Sequence, residues 1–172
     1  MNVLTLKFKA TEFNGWPKIQ ILIDEDLIED HQFHQSEEDV NITLDLLDGP
    51  HELAIERYGK TDENLSLDSQ GNILEDQTLE LVGMLVDGVN VPEMFNYQGD
   101  FRTGDQIYKQ SRFWGPNGVW IWEFGTPIIT WMLEEVIVND EKYTNPEIPF
   151  KEYIKDHDNQ VDRLRKLLDD ME

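Results

Sequence analysis

The sequence contains no cysteine, which excludes disulfide bonds and cysteine-ligated zinc sites. It is also poor in basic residues, with 14 Lys and Arg against 36 Asp and Glu and a formal net charge of −22. Because phosphate contacts depend on Lys and Arg, this balance argues against nonspecific binding of nucleic acid and against docking on an anionic membrane. Three explanations of the acidity stay open: solubility through mutual repulsion, binding of divalent cations, and mimicry of nucleic acid toward a basic partner.

Signals for targeting and for catalysis are missing as well. No apolar run reaches the length of a membrane span, and the first residues lack the basic start and long apolar stretch of a signal peptide. We therefore expect synthesis in a cytoplasm without a signal peptide, and assembly into a virion satisfies the same facts. A glycine-rich phosphate loop, a nucleophile elbow and a His-Glu-x-x-His motif are absent too, and the protein is predicted not to be an enzyme.

What the first half does contain is alternation of apolar and polar residues, the pattern of strands with one face on a core and one in water. The alternation begins in segment 1–9, where Leu4, Leu6 and Phe8 share a face. It recurs in four further segments, 18–24, 40–46, 51–57 and 79–86. Within the acidic loop 59–77, a turn at 69–72 separates two short apolar segments and predicts a small hairpin. These features predict an all-β protein built as a β-sandwich.

The second half has a different texture. Aromatic residues are spaced irregularly among glycines from residue 92 onward, and two further strands are predicted at 119–124 and 127–133. The predicted organisation is a β-sandwich over 1–138, with a core at 1–91 and an aromatic-rich extension at 92–138. A linker at 139–149 and a C-terminal amphipathic helix at 150–172 follow.

The predicted C-terminal helix carries a heptad pattern. Ile154, Val161 and Leu168 repeat every seven residues, and Leu164 lies at the second apolar position of the heptad. This stripe predicts either a helix that packs on its own sandwich or a short coiled coil that joins copies of the chain. In the second case, the protein is a homo-oligomer assembled through these four residues.

Several motifs in the first half resemble a known family. They are the turn Gly15-Trp16-Pro17, the strand start Gly49-Pro50-His51-Glu52-Leu53, and a later strand that begins at Asp76-Gln77-Thr78 and closes at Val86-Asp87-Gly88. In order and spacing they resemble the small calcium-dependent carbohydrate-binding modules, of the xylan-binding kind found beside glycoside hydrolases. The resemblance covers residues 3–91 and implies a jelly-roll β-sandwich that binds sugars without cleaving them.

The resemblance also implies a calcium site. In the family, carboxylates of the late loop and of the following strand hold calcium, and the metal binds sugar hydroxyls. Asp76 matches the first of these carboxylates, while the later position falls on Val82, which has no oxygen ligand. Because calcium accepts six to eight oxygens, the neighbouring acids Asp62, Asp68 and Glu75 are predicted to complete a site with Asp76. The alternative is that this loop is simply solvated.

Tryptophans are the candidates for stacking on sugar rings. Trp114 lies on a predicted loop and is the preferred stacking residue. Trp120 and Trp122 share one side of a predicted strand, where they line either the sugar-binding surface or the core.

Taken with its Trp-rich second half, the chain resembles stand-alone proteins of marine bacteriophages that keep this kind of sandwich. The function predicted is a non-catalytic carbohydrate-binding-module-like protein, acting as a phage structural or host-surface interaction protein, with a glycan or a virion protein as partner. Two alternatives stay open. One is an acidic decoy that binds a basic, nucleic-acid-binding surface of a host protein, and the other is a glycan-cleaving enzyme, which would need a cleft with paired carboxylates.

Overall fold

The computed structural model describes residues 2–92, 95 and 98–140. Its thirteen strands are β1 (Asn2–Thr11), β2 (Lys18–Ile23), β3 (Asp26–Gln32), β4 (Glu37–Leu44), β5 (Gly49–Tyr58), β6 (Leu65–Leu67), β7 (Ile73–Asp76), β8 (Thr78–Val86), β9 (Val89–Asn90), β10 (Asp100–Thr103), β11 (Gln106–Tyr108), β12 (Phe113–Trp114) and β13 (Gly118–Thr126). One α-helix, α1 (Ile128–Asp140), follows the last strand. It is not long and apolar enough to cross a membrane, and no other described helix is.

Two antiparallel sheets face each other. The five-stranded sheet has the order β12-β8-β1-β4, with β9 paired to β8, and the six-stranded sheet has the order β11-β10-β13-β5-β2-β3. β6 and β7 form the separate small hairpin predicted within the acidic loop. The predicted fold class, an all-β sandwich, is confirmed.

The core lies between the sheets and is formed by the residues that the alternation placed on one face. Leu4, Leu6 and Phe8 of β1 are at most 1% exposed, and Ile19 and Ile21 of β2 are fully buried. From the opposite direction, β13 contributes large rings to the same core. Period-two burial on both sheets therefore produces a single apolar layer, as expected for packed sheets.

The strand predicted at 127–133 is wrong, because the chain forms helix α1 from Ile128 onward. Ile128 and Met132, which are four residues apart, are both buried, and the Trp131 N–H donates to the Pro127 carbonyl at 3.0 Å. Both features belong to a helix. Nearly every residue of this run is apolar, so neither a two-residue nor a helical period could be read from it.

Helix α1 continues through Asp140, two residues into the segment predicted as a linker. The rest of that linker and the predicted C-terminal helix, including Ile154, Val161, Leu164 and Leu168, lie outside the described residues.

Candidate functional site

The three tryptophans predicted to stack on sugars lie in the core. Trp114 and Trp120 are fully buried and Trp122 is 1% exposed. Trp114 is on β12, paired with Leu79, and its ring stacks on Phe101 with centroids 5.7 Å apart and planes within 9°. A sugar ring needs an exposed aromatic face. The faces of these three rings pack against protein neighbours and are not accessible to a sugar. The structure therefore replaces the predicted stacking role of these residues with a packing role.

The acids predicted to bind calcium are not brought together. Asp62 lies exposed in a single 3-10 turn, and Glu75 lies exposed on β7 opposite Ser66. Asp68 closes the hairpin turn, where Oδ1 accepts the Gln70 and Asn72 N–H groups, both at 2.8 Å, and Oδ2 accepts the Asn72 side-chain amide. These bonds, led by the one from the Asn72 side chain, lower the pKa of Asp68.

Asp76 has a cation partner of its own. Its carboxylate is paired with Lys60, and both side chains are largely buried, at 15% and 11% exposed. Within the described residues, no group of three or more His, Asp or Glu side chains is placed to hold a metal ion. The residues named by the sequence therefore do not fit a calcium ion in this fold.

The structure presents a cleft instead, at the end of the sandwich where β5 begins and β13 ends. This end cleft has a volume of about 810 Å³. Its walls come from the β2–β3 turn, the first residues of β5, the last residues of β13 and the first turns of α1. It is lined by Asp24, Gly49, Pro50, His51, Glu52, Gln98, Glu123, Phe124, Gly125, Thr126, Pro127, Thr130, Trp131, Glu134 and Glu135.

A charged pair holds one wall of the end cleft. His51 Nδ1 lies 2.6 Å from Asp24 Oδ2, and His51 Nε2 lies 2.8 Å from the Leu47 carbonyl oxygen. The second oxygen of Asp24 accepts the Glu52 N–H at 2.9 Å. Asp24 thus joins the β2–β3 turn to β5, and both nitrogens of the imidazole are engaged.

The electrostatics of the end cleft are strongly negative. Glu52 and Glu123 are direct partners in the register of β5 and β13, and both line the cleft. Asp24, Glu134 and Glu135 add three further carboxylates to its walls. Like charges directly opposite each other on a sheet destabilise it. The pair of Glu52 and Glu123 therefore lowers the stability of the fold, and packing alone does not explain its presence.

Trp131 is the partly buried aromatic residue of the end cleft. Its ring packs on Phe95 and Trp122, with centroids 5.3 and 5.9 Å away, and it lies over Gly125, where an added Cβ would meet Trp131 Cδ1 at 2.6 Å. The absence of a side chain at Gly125 therefore sets the position of this ring in the cleft wall.

Sequence reasoning missed this site almost entirely. The sequence marks His51 only as part of a family-like strand, and it predicts a strand for Trp131 where the structure has a helix. The acids of the end cleft come from four separated segments, and only the strand register brings Glu52 and Glu123 together.

No protein-family model matches the sequence, and no curated protein matches it. Two solved structures are similar to it. One is vCBM60 in complex with galactobiose, with 12% identity, a TM-score of 0.47, and coverage of 72% of this chain and 97% of that chain. The other is the selenomethionine form of vCBM60, described with circular permutation as a link between two families of calcium-dependent carbohydrate-binding modules, with 12% identity, a TM-score of 0.49, and coverage of 71% and 90%. Both of these similar structures are of vCBM60.

Proposed function

We propose that this protein is a non-catalytic, carbohydrate-binding-module-like protein that binds a neutral glycan in the end cleft. The observation that carries the proposal is the placement of Trp131 in the same cleft as the acceptor carboxylates Glu52 and Glu123. Sugars combine apolar C–H faces with hydroxyl donors, so a site for them needs an aromatic surface and well-placed acceptors.

The carboxylates suit hydroxyl donors in particular. Hydrogen bonds to an ionised acceptor are shorter and stronger than neutral ones, and Glu52 and Glu123 present two such acceptors side by side. Gln98 and Thr130 add neutral polar groups to the same walls. Anionic ligands are disfavoured by the same charges, which restricts the proposed ligand to uncharged sugars.

The proposed role is binding without cleavage. A glycosidase needs a pair of carboxyl groups at the scissile bond, and the end cleft holds a carboxylate pair in Glu52 and Glu123, so the assay for released reducing ends decides between binding and cleavage. His51 is not free to act as a base, because a carboxylate and a backbone carbonyl engage its two nitrogens. The proposed contact with sugar is made by side chains and needs no calcium.

The test is calorimetric titration with a panel of neutral oligosaccharides, with release of reducing ends followed in parallel. Trp131→Phe is expected to weaken binding by about tenfold, the effect of losing about 1.4 kcal/mol of aromatic contact. Trp16→Phe is the matched control, because Trp16 is also partly buried but does not line the cleft. Equal affinities of the two variants, an absence of binding to every sugar, or release of reducing ends would contradict the proposal.

The alternative of an acidic decoy has one observation in its favour. The two opposed carboxylates of Glu52 and Glu123 would also attract a Lys or Arg side chain of a basic protein. Binding to a basic partner would weaken steeply as salt increases, because exposed charge pairs are screened, whereas glycan binding would change little. Titration at low and high ionic strength separates the two functions.

The setting on a virion or at a host surface stays a prediction from the sequence resemblance. Weak sites gain avidity when several copies are linked, and the heptad of the tail is the predicted link. Light scattering of the full chain, compared with Leu164→Glu and with Leu74→Glu as an exposed apolar control, tests that prediction. A monomeric parent chain would contradict assembly through the tail.

A further inference from the structure

At the opposite end of β5 from the end cleft, the ammonium group of Lys60 is held by oxygens from two other segments. Lys60 Nζ donates to Asp76 Oδ1, to the Gln77 carbonyl at 3.1 Å and to the Gly115 carbonyl at 2.7 Å. Asp76 and Gln77 belong to the junction of β7 and β8, and Gly115 follows β12. One cation thus joins three parts of the chain that are distant in sequence.

A second cation lies against the same oxygens. Arg57 is 1% exposed, and its guanidinium donates to the Gly115 and Pro116 carbonyls and, at 2.7 Å, to the Gln77 carbonyl. Burial lowers the pKa of Arg57 to about 10, against the opposing attraction of Asp76, so the group is charged at neutral pH. Burying a charge is costly unless it is paired and hydrogen-bonded. The two terminal guanidinium nitrogens of Arg57 have carbonyl partners, whereas its Nε is buried without a hydrogen-bond partner.

The set of oxygens around Lys60 Nζ is the kind that calcium prefers. Calcium in proteins is bound by carboxylate oxygens and backbone carbonyls supplied by several segments of the chain. Asp76 is also the residue that matches the first calcium carboxylate in the sequence resemblance. Here a carboxylate and two carbonyls converge in the same way, but on an ammonium group that belongs to the chain.

We propose that the ammonium group of Lys60 is a built-in substitute for a calcium ion, so that this sandwich holds its loops together without metal. The negative charge of Asp76 is neutralised by its ion pair with Lys60, and Arg57 lies near the same carboxylate. A divalent cation at this site would be repelled by these two fixed positive charges. This inference is independent of the proposed glycan site, which lies at the other end of β5.

The first test compares thermal unfolding of the wild-type protein in millimolar calcium and in excess chelator. A ligand that binds only the folded state raises its stability, so a resident calcium would produce a clear shift in Tm. The proposal predicts the same Tm in both conditions. A clear upward shift with calcium would overturn it.

The second test removes the ammonium. Lys60→Ala is expected to lower Tm by on the order of 10 °C, because it leaves a largely buried carboxylate without its partner. Lys109→Ala is the matched control, since it breaks another Lys–Asp pair whose lysine is 75% exposed. That loss is expected to stay within about 2 °C.

Chemical rescue distinguishes a bound cation from ordinary packing. Ethylammonium chloride is expected to raise the Tm of Lys60→Ala more than an equal concentration of sodium chloride does, and to leave the wild type unchanged. The double variant Lys60→Ala with Asp76→Asn should lose this response. Equal effects of the two salts would overturn the proposal.

If Lys60→Ala does not fold, the Asp76→Asn variant alone decides, because it leaves two cations without their carboxylate. A wild-type Tm for this variant would be incompatible with the proposal.

Discussion

His51 is bound on both sides by acceptors, with Nδ1 2.6 Å from Asp24 Oδ2 and Nε2 2.8 Å from the Leu47 carbonyl oxygen. Neither acceptor carries a proton when Asp24 is ionised, so the arrangement suits the doubly protonated imidazolium. Burial lowers the pKa of His51, but the hydrogen bonds to Asp24 and Leu47 together with the Asp24 charge outweigh it and raise the pKa above its ordinary 6.5. The pair closes one wall of the end cleft.

The raised pKa predicts that the stability contribution of His51 depends on pH. The contribution is fully present below the ordinary pKa of 6.5 and is lost as the pH rises through the higher folded-state value. His51→Gln is therefore expected to cost about 1–2 kcal/mol near pH 5.5 and much less near pH 8.5, as measured by urea unfolding. His34→Gln, at an exposed histidine, serves as the control for the histidine-to-glutamine change itself.

Asp24 sets the acidic limit of the same window. The Glu52 N–H, followed by the His51 side chain, lowers the pKa of Asp24 below its ordinary 3.8, so its contribution disappears as the pH falls through the folded-state value. A stability difference between wild type and His51→Gln that is constant from acid to alkaline pH would contradict the assignment of a charged pair.

The opposed carboxylates of Glu52 and Glu123 are expected to lower the stability of the fold while favouring binding of the proposed glycan. Glu123→Gln removes a like-charge contact and is expected to raise the free energy of unfolding by about 0.5 kcal/mol at low salt, while weakening glycan binding. The gain should shrink as salt is added. Glu56→Gln on β5 is the control, because the partner of Glu56 on β13 is the uncharged Val119. A destabilised Glu123→Gln would show that the pair is held by a partner within the fold.

The strands were predictable because water and the core each select one face. Leu4, Leu6 and Phe8 follow that rule, and the small hairpin of β6 and β7 was marked by its turn residues. The same rule placed Trp120 and Trp122 on one face but did not say which face, since alternation is symmetric between inside and outside. Only the packing of the two sheets decides that these rings are buried.

The sites were not predictable for a different reason. A lysine such as Lys60 is typical of a surface, and its burial depends on carbonyls of Gln77 and Gly115 that come close only after folding. In the end cleft, Trp131 depends on a helix that a uniformly apolar run concealed. Chemistry that arises from contacts between distant segments leaves no local pattern to read.

Burial of Trp114 predicts that its removal affects stability. Trp114→Ala should cost about 3–5 kcal/mol, the usual loss for a large aromatic residue in a core. Phe113→Ala is the control from the same strand, because Phe113 is 56% exposed, and it should change stability by about 0.5 kcal/mol or less. Urea unfolding measures both. Near-wild-type stability of Trp114→Ala would return this residue to the surface role expected from the sequence.

The close approach of Trp131 to Gly125 predicts that a side chain at position 125 changes the end cleft. An alanine Cβ there would meet Trp131 Cδ1 at 2.6 Å and Cγ at 2.8 Å, so the ring must move. Gly125→Ala is expected to lower the free energy of unfolding by about 1–3 kcal/mol, as overpacking does, and to weaken glycan binding by displacing Trp131, the aromatic residue of the proposed glycan site. Gly83→Ala is the matched control, since its nearest neighbour is the Lys7 side chain at 3.7 Å and its cost should be small. Unfolding measurements and glycan titration on both variants check this. Unchanged binding by a folded Gly125→Ala would mean that the position of Trp131 does not matter for the ligand.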